Sequence, residues 1–413
     1  MDATASCWSL TARWVFPVST PPLERGAVTI AGDRITAVGP RARHPDLDLG
    51  DAAILPGLVN AHTHLDLTGL RGRVSFTGDF TTWLGGVISH RRLRTWDEVR
   101  QDIRTGVAES LRSGVTLVGD ISDRGLSHDI LRSSTLRAVV FFELLGLTAE
   151  RAAQAWAAAL PWLAGSASPT CRRGISPHAP YSVRRSLFRA AGALTAAAAL
   201  PIMVHLAETQ AELELLARHR GPFRHFLEDL GVWAAEGLVA DPAEVVRLLA
   251  GSPHVLLAHG TFLDPMMPLG PNAIVVYCPR THRFFGHPPH PFREFLARGV
   301  RVAIGTDSLA SNPDLDVLQE IRFLHREYPE VPAATLLHMA TVAGAEALGW
   351  ASETGSLTPG KSADLIVVPL PPHDHADPHR LLLESNTAVE RVLFQGQWVD
   401  RASAAAIGFT AEG

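Results

Sequence analysis

Two histidines spaced one residue apart, His62 and His64, follow the apolar run Ala52 to Val59. In an extended strand alternate side chains share a face, so both imidazoles project together from the strand end. Neutral imidazoles at that spacing suit a divalent transition metal such as zinc or iron. Alone the pair is a weak signal, because histidine also sits in ordinary loops. Four further apolar runs end in ionisable residues. They lead into Ser176-Pro177-His178-Ala179-Pro180-Tyr181-Ser182, His205-Leu206-Ala207-Glu208, His259-Gly260 and Gly305-Thr306-Asp307-Ser308.

Together with His62 and His64, residues His205 and Asp307 complete a set of three histidines and one aspartate that leaves a place for water, as a catalytic metal requires. Glu208 lies three residues past His205. It reads either as a solvated carboxylate near a helix start or as a general base and acid beside the metal. His259 reads either as a core histidine or as a group that polarises substrate or water.

Such a set works only if the strands converge. Strand candidates are 54–61, 115–121, 137–145, 173–177, 201–206, 254–259, 273–278 and 301–306, mostly short, apolar and β-branched. Helical stretches separate most of them. Thr95-Trp96-Asp97-Glu98 is a capping box opening a helix that stops at Gly114, and Thr209-Gln210-Ala211-Glu212 is another, ending near Gly221. Residues 184–199, 241–250 and 313–327 add three more helices. Eight alternating strands predict an α/β fold, a (β/α)8 TIM barrel, whose chemistry sits at the C-terminal strand ends. The alternative is a doubly wound open sheet, weakened by the lack of a Gly-x-Gly-x-x-Gly turn. Both chain ends are strand-rich. They predict one small β-sandwich built from residues 1–55 and 356–413, enclosing a catalytic barrel over residues 56–355.

Composition narrows the class. The 413 residues are 46% hydrophobic and 19% charged, ample for a large core, and the net charge of -5 gives no reason to expect nucleic acid. Cys7, Cys171 and Cys278 are scattered and odd in number, so a reducing cytoplasm and no disulfide framework are expected. Asp2 and Arg13 interrupt the N-terminus, which does not read as a signal peptide. The longest apolar run, Ala190 to Val204, is divided by Pro201 and too short to span a bilayer.

The segments Leu55-Pro56-Gly57-Leu58-Val59-Asn60-Ala61-His62-Thr63-His64, His205-Leu206-Ala207-Glu208, His259 and Gly305-Thr306-Asp307-Ser308-Leu309-Ala310-Ser311-Asn312 together resemble the amidohydrolase superfamily. The likeness covers nearly the whole chain. It is closest to the branch holding chlorohydrolases, guanine deaminase and the S-adenosylhomocysteine and methylthioadenosine deaminases. The resemblance implies one divalent ion, zinc with iron as the alternative, held by His62, His64, His205 and Asp307. It implies Glu208 and His259 as the proton-handling pair, assisted by Asp307, and a substrate-binding role for His178. Two-metal members need a carboxylated lysine on the fourth strand. The single lysine of this chain, Lys361, lies near the C-terminal β-rich part, so one metal is expected. A homodimer is a further expectation from the family.

The implied reaction is hydrolytic deamination of an aminopurine nucleoside. Residues 277–292 and 305–312 resemble the aminodeoxyfutalosine deaminase subgroup, which acts in menaquinone biosynthesis on a substrate with an adenine, a ribose-like part and a benzoate. On that reading Arg280 or Arg283 meets the carboxylate and Trp83 or Phe284 stacks on a ring. A surface arginine and a packing aromatic are the plain alternatives. The stretch 66–94, with Gly72, Gly78, Gly85 and Gly86 around Trp83, reads as a lid loop. Other readings are an S-adenosylhomocysteine, methylthioadenosine or adenosine deaminase, a guanine deaminase, a chlorohydrolase, or a non-catalytic scaffold.

Overall fold

In the computed structural model eight parallel strands follow one another around a single sheet in chain order. They are β1 (Leu58–Thr63), β2 (Val115–Ser122), β3 (Arg137–Leu144), β4 (Cys171–Pro177), β5 (Ile202–Leu206), β6 (Val255–His259), β7 (Ala273–Tyr277) and β8 (Arg301–Ile304). A parallel bridge between Thr63 and Asp307 brings the last strand back to the first, so the sheet is a barrel. The structure describes residues 7–40, 44–166, 168–373 and 375–400. Residues 1–6, 41–43 and 401–413 of the expected end domain, with Asp2 of the N-terminal reading, lie outside the described residues.

The strands are apolar on both faces because both faces are covered. Leu117, Phe141, Met203, Leu256 and Val276 fill the barrel interior. Their sequence neighbours Val118, Val140, Val204, Leu257 and Val275 face the outer core. The outer helices include α1 (Phe80–Leu93), α2 (Trp96–Arg112), α3 (Ala149–Leu163), α4 (Arg185–Ala198) and α5 (Gln210–Arg218). At the start of α2 the expected capping box is complete: Thr95 Oγ1 accepts from Glu98 N at 3.3 Å, and the Glu98 carboxylate accepts from Thr95 N at 2.8 Å. No helix among the described residues is long and apolar enough to cross a membrane.

The run expected as one strand, 54–61, is two. Ala52–Pro56 pairs antiparallel with Leu365–Pro369 in a sheet of the chain ends, and β1 begins at Leu58. Gly57 makes the change of sheet. A Cβ there would stand 2.0 Å from Thr116 Oγ1 on β2, so only glycine fits. The stretch expected as a lid loop is also different. It folds into a 3-10 turn (Leu65–Leu70) and α1, with Trp83, Gly85 and Gly86 inside the helix. Gly72 and Gly78 take left-handed turns before it.

The two chain ends share a six-stranded sheet. Trp14–Val15, Leu23–Glu24 and Ala52–Pro56 join Leu365–Pro369, Arg391–Phe394 and Gln397–Trp398. A four-stranded sheet from the N-terminal part packs on it through Leu10, Ile30, Ile54, Leu365 and Leu393. Arg137, at the first residue of β3, ties the barrel to this region. Its Nε donates to Asp364 at 2.8 Å and its Nη2 donates to Ser362 Oγ at 2.7 Å, all three residues being buried. Asp364 in turn accepts from Ser362 Oγ and Gln395 N. Replacing Arg137 by Met strands a buried carboxylate, which costs about 3–5 kcal/mol. The expected result is a fall of several degrees in the thermal midpoint, followed by circular dichroism.

Candidate active site

Five of the residues expected at the strand ends come together at the C-terminal mouth of the barrel. His62 and His64 leave β1, His205 lies in β5, His259 ends β6, and Asp307 follows β8. All five are buried. His64 Nε2 stands 3.2 Å from His205 Nε2. Asp307 Oδ1 lies 3.6 Å from His62 Nε2 and 3.5 Å from His64 Nε2. Ligand atoms of His62, His64 and His205 lie within 4.8 Å of one another, as do those of His62, His259 and Asp307.

This donor set fits a divalent cation. His62 Nε2 is buried with no hydrogen-bond partner, which is costly unless something else meets its lone pair. His205 Nδ1 donates to the His178 carbonyl at 2.8 Å. That bond leaves the His205 lone pair on Nε2, aimed at His64, and is the usual way a ligand imidazole is oriented. Burial, then neighbouring imidazoles, holds His64 well below its ordinary pKa and brings His205 down to about 3. Neutral imidazoles are the form that coordinates. Burial alone would raise the Asp307 carboxyl, but the neighbouring His62 and His259 and the Ser311 hydroxyl bring it to about 2. His64 and His205 therefore offer neutral nitrogens and Asp307 an anionic oxygen.

Glu208 projects into the same cavity. Its Oε1 lies 3.6 Å from His259 Nε2. Burial, then the charges of Asp307 and Glu212, pushes its carboxyl well above the ordinary range. A carboxyl so placed can take up and give back a proton near neutral pH. Each turn that aims these groups is left-handed at a non-glycine residue: Ala207 (φ 51°), His259 (φ 67°) and Asp307 (φ 55°). Such conformations cost about 1–3 kcal/mol apiece and cluster at functional sites.

The cavity has a volume of about 340 Å³. Besides His64, His205, Glu208, His259 and Asp307 it is lined by His178, whose Nδ1 lies 2.7 Å from Ser182 Oγ. Trp83 lines it from α1, its ring edge-on to Phe285 with centroids 4.9 Å apart. Arg280 does not reach the cavity. Its guanidinium is bonded to Glu320 Oε1 at 2.7 Å and to Asp314 Oδ1 at 2.6 Å. Glu320 is fully buried and needs a cation, so Arg280 is committed to it and a substrate carboxylate finds no donor there. Arg283 and Phe284 are exposed and also lie outside the cavity wall. Lys361 donates to the Thr354 carbonyl at 3.1 Å, away from the strand ends.

Several groups at the site went unread. Glu143, in β3 one residue before its end, lines the cavity and accepts from Arg91 at 3.0 Å, and Arg91 also bonds Asp66 at 2.9 Å. Asp120 in β2 accepts from Leu65 N at 2.9 Å and from the Ser127 hydroxyl, fixing the chain just past His64. Both carboxylates stand near the C-terminal ends of apolar runs, the second and third strands, and so carry the same signal as the other strand-end groups. Arg92 and Arg151, which also line the cavity, had no such signal, because both sit on helices among many other arginines.

The sequence model of the amidohydrolase family matches residues 53–399. The chain belongs to that family. It is with it a hydrolase acting on carbon–nitrogen bonds. The amidohydrolase is 32% identical to a 5-methylthioadenosine/S-adenosylhomocysteine deaminase of Syntrophobacter fumaroxidans, over 86% of this chain and 81% of that one. It is 28% identical to an aminodeoxyfutalosine deaminase of Deinococcus radiodurans, over 78% and 81% of the two chains. Among solved structures it resembles an adenosine deaminase of Xanthomonas campestris with bound zinc, with a TM-score of 0.77, 26% identity and coverage of 97% and 96%.

The geometry predicts a metal dependence that can be read without an assay of turnover. Elemental analysis of the purified amidohydrolase should give about one divalent ion per chain. Chelation should lower the thermal midpoint, and the ion should restore it, because a ligand that binds only the folded state stabilises it. His64→Ala should lose the ion and the stabilisation together.

Proposed function

We propose that this amidohydrolase is a zinc-dependent hydrolytic deaminase of a 6-aminopurine nucleoside that carries an anionic tail, with aminodeoxyfutalosine as the first candidate. The observation that carries the reading is one cavity with two unlike ends. At the floor stand His64, His205 and Asp307 with Glu208 and His259 beside them, and the fully buried His62 lies within reach of the same donor set. At the wall stand two arginines, Arg92 and Arg151, both exposed and with no acidic partner among the described residues. The deaminase names of the relatives support the floor reaction. The zinc of the similar adenosine deaminase structure supports the choice of ion.

A divalent ion held by His62, His64, His205 and Asp307 supplies Lewis acidity and makes water a nucleophile near neutral pH. The chain's own groups do the rest. Glu208 moves a proton from the attacking water to a ring nitrogen of the purine, which makes the amino-bearing carbon electrophilic. His259 and Asp307 orient the water and stabilise charge; as the tetrahedral species collapses, the remaining proton of the added hydroxyl passes to the amino nitrogen, the carbon–nitrogen bond breaks, and ammonia and the oxo product result. His178, held by Ser182, meets another edge of the purine. Trp83 closes the apolar side of the cavity and keeps bulk water out. Burial would raise the Glu143 carboxyl, but Arg91 together with the neighbouring His178, His64 and His205 brings it to about 2. It gives the wall a fixed acceptor for substrate hydroxyl groups.

The carboxylate of a benzoate and that of a homocysteine moiety both suit the two free guanidinium groups. S-adenosylhomocysteine is therefore the second reading, favoured by the 32% identical relative. Two measurements decide. Glu208→Gln should lower kcat by about 100-fold or more with metal content unchanged; retained turnover would move the proton role elsewhere. Arg92→Ala with Arg151→Ala should raise KM about 10-fold or more for aminodeoxyfutalosine or S-adenosylhomocysteine and leave methylthioadenosine, which has no carboxylate, within twofold. Equal effects on all three substrates would remove the anionic tail from the proposal.

A further inference from the structure

We infer that Glu212 is the positioning residue for Glu208, a role that rests on Glu208 as the proton carrier. Glu212 is fully buried, and its two carboxylate oxygens accept from two consecutive backbone amides, Ala207 N at 2.9 Å and Glu208 N at 3.2 Å. The sequence pattern assigns this carboxylate a different partner. In a capping box it returns to the amide of the N-cap residue, Thr209. Thr209 does cap α5, accepting from Glu212 N at 3.2 Å. The Glu212 carboxylate instead reaches back past Thr209 to the turn that ends β5.

That turn needs a clamp. Ala207 is left-handed, a conformation that an alanine leaves readily unless its surroundings fix it. The Ala207 carbonyl accepts from Phe262 N at 2.8 Å, which holds one side of the peptide chain there. The amides on the other side have Glu212. Burial raises the Glu212 carboxyl to about 7 while the two amides pull it down; two N–H groups on the two oxygens of one carboxyl group fix direction as well as distance, most strongly in its ionised form. With Ala207 N and Glu208 N both held, Glu208 leaves the backbone toward the cavity, where its Oε1 faces His259. A glutamine at 212 has one carbonyl oxygen and turns its NH₂ toward the second amide, donor against donor.

The test uses the full-length, metal-loaded protein. Glu212→Gln should lower kcat about 10- to 100-fold, the range expected when a reacting group is misplaced by about an ångström. KM should stay within twofold and metal content at one equivalent. Affinity for a purine analogue with a tetrahedral carbinol at the reacting carbon should fall by the same factor as kcat, and a crystal structure should show Glu208 turned from His259. Glu212→Asp keeps the charge but is one methylene shorter. It should lie between the two, and it carries the test if the glutamine variant does not fold. Thr95→Ala, an equivalent helix-start lesion on α2, should lower the thermal midpoint and leave kcat unchanged. A Glu212→Gln enzyme with kcat within twofold of wild type would overturn the inference, as would one whose losses match those of Thr95→Ala. If Glu208→Gln itself stays active, the proton role has failed, and the position of Glu208 in the crystal decides the clamp by itself.

Discussion

The barrel closes through the backbone of one of its own candidate metal ligands. The His62 carbonyl accepts from Thr306 N at 3.1 Å and from Asp307 N at 3.0 Å, and Thr63 Oγ1 donates to the Asp307 carbonyl at 3.0 Å. Asn60 adds a reciprocal pair with Thr306, at 2.7 and 3.1 Å. Gly305 permits the approach, since a Cβ there would stand 2.9 Å from the His62 Cβ. The seam between first and last strands and the placement of His62 and Asp307 are thus one set of bonds. A barrel that failed to close would have no site, and a change that loosened the site would reach the seam at once.

Burial acts on every ionisable group at the mouth, yet the groups end in different protonation states. Burial first and then one another keep His64, His205 and His259 neutral. Asp307 has histidines and a hydroxyl around it and stays ionised. Glu208 has two carboxylates as neighbours and holds its proton most easily. Burial drives the imidazoles and Glu208 toward their neutral forms, and at Asp307 the neighbours override it.

Much of this was legible because each barrel strand is a short apolar run that ends in a chemically distinctive residue. The eight predicted runs correspond to the eight strands within a few residues, and five ends point at one place. The misreadings have local causes. Residues 54–61 look like one strand because the apolar character continues through Pro56-Gly57, and both halves are buried, in different sheets. Arg280 looks free because its partners Asp314 and Glu320 are more than thirty residues away in the chain. Glycines around Trp83 suggest a loop, yet Gly85 and Gly86 sit in a helix; at Gly86 a side chain would meet Val74 at 2.9 Å. The capping pattern at Thr209 is right about the helix start and silent about a competing pair of amides behind it.

The sheet of the chain ends sets the order in which the protein can be made. Ala52–Pro56 is synthesised long before its partner Leu365–Pro369, which is more than three hundred residues later. Until then one edge of an apolar strand stands open to pair with any neighbour, the circumstance in which growing chains aggregate. The barrel strands that follow pair in chain order and can form as they emerge. The buried Arg137 meets its carboxylate only once Asp364, more than two hundred residues later, has been made. The locking of this fold therefore follows the barrel strands, and a message truncated before the codon for Asp364 would leave the Arg137 guanidinium without its ion pair.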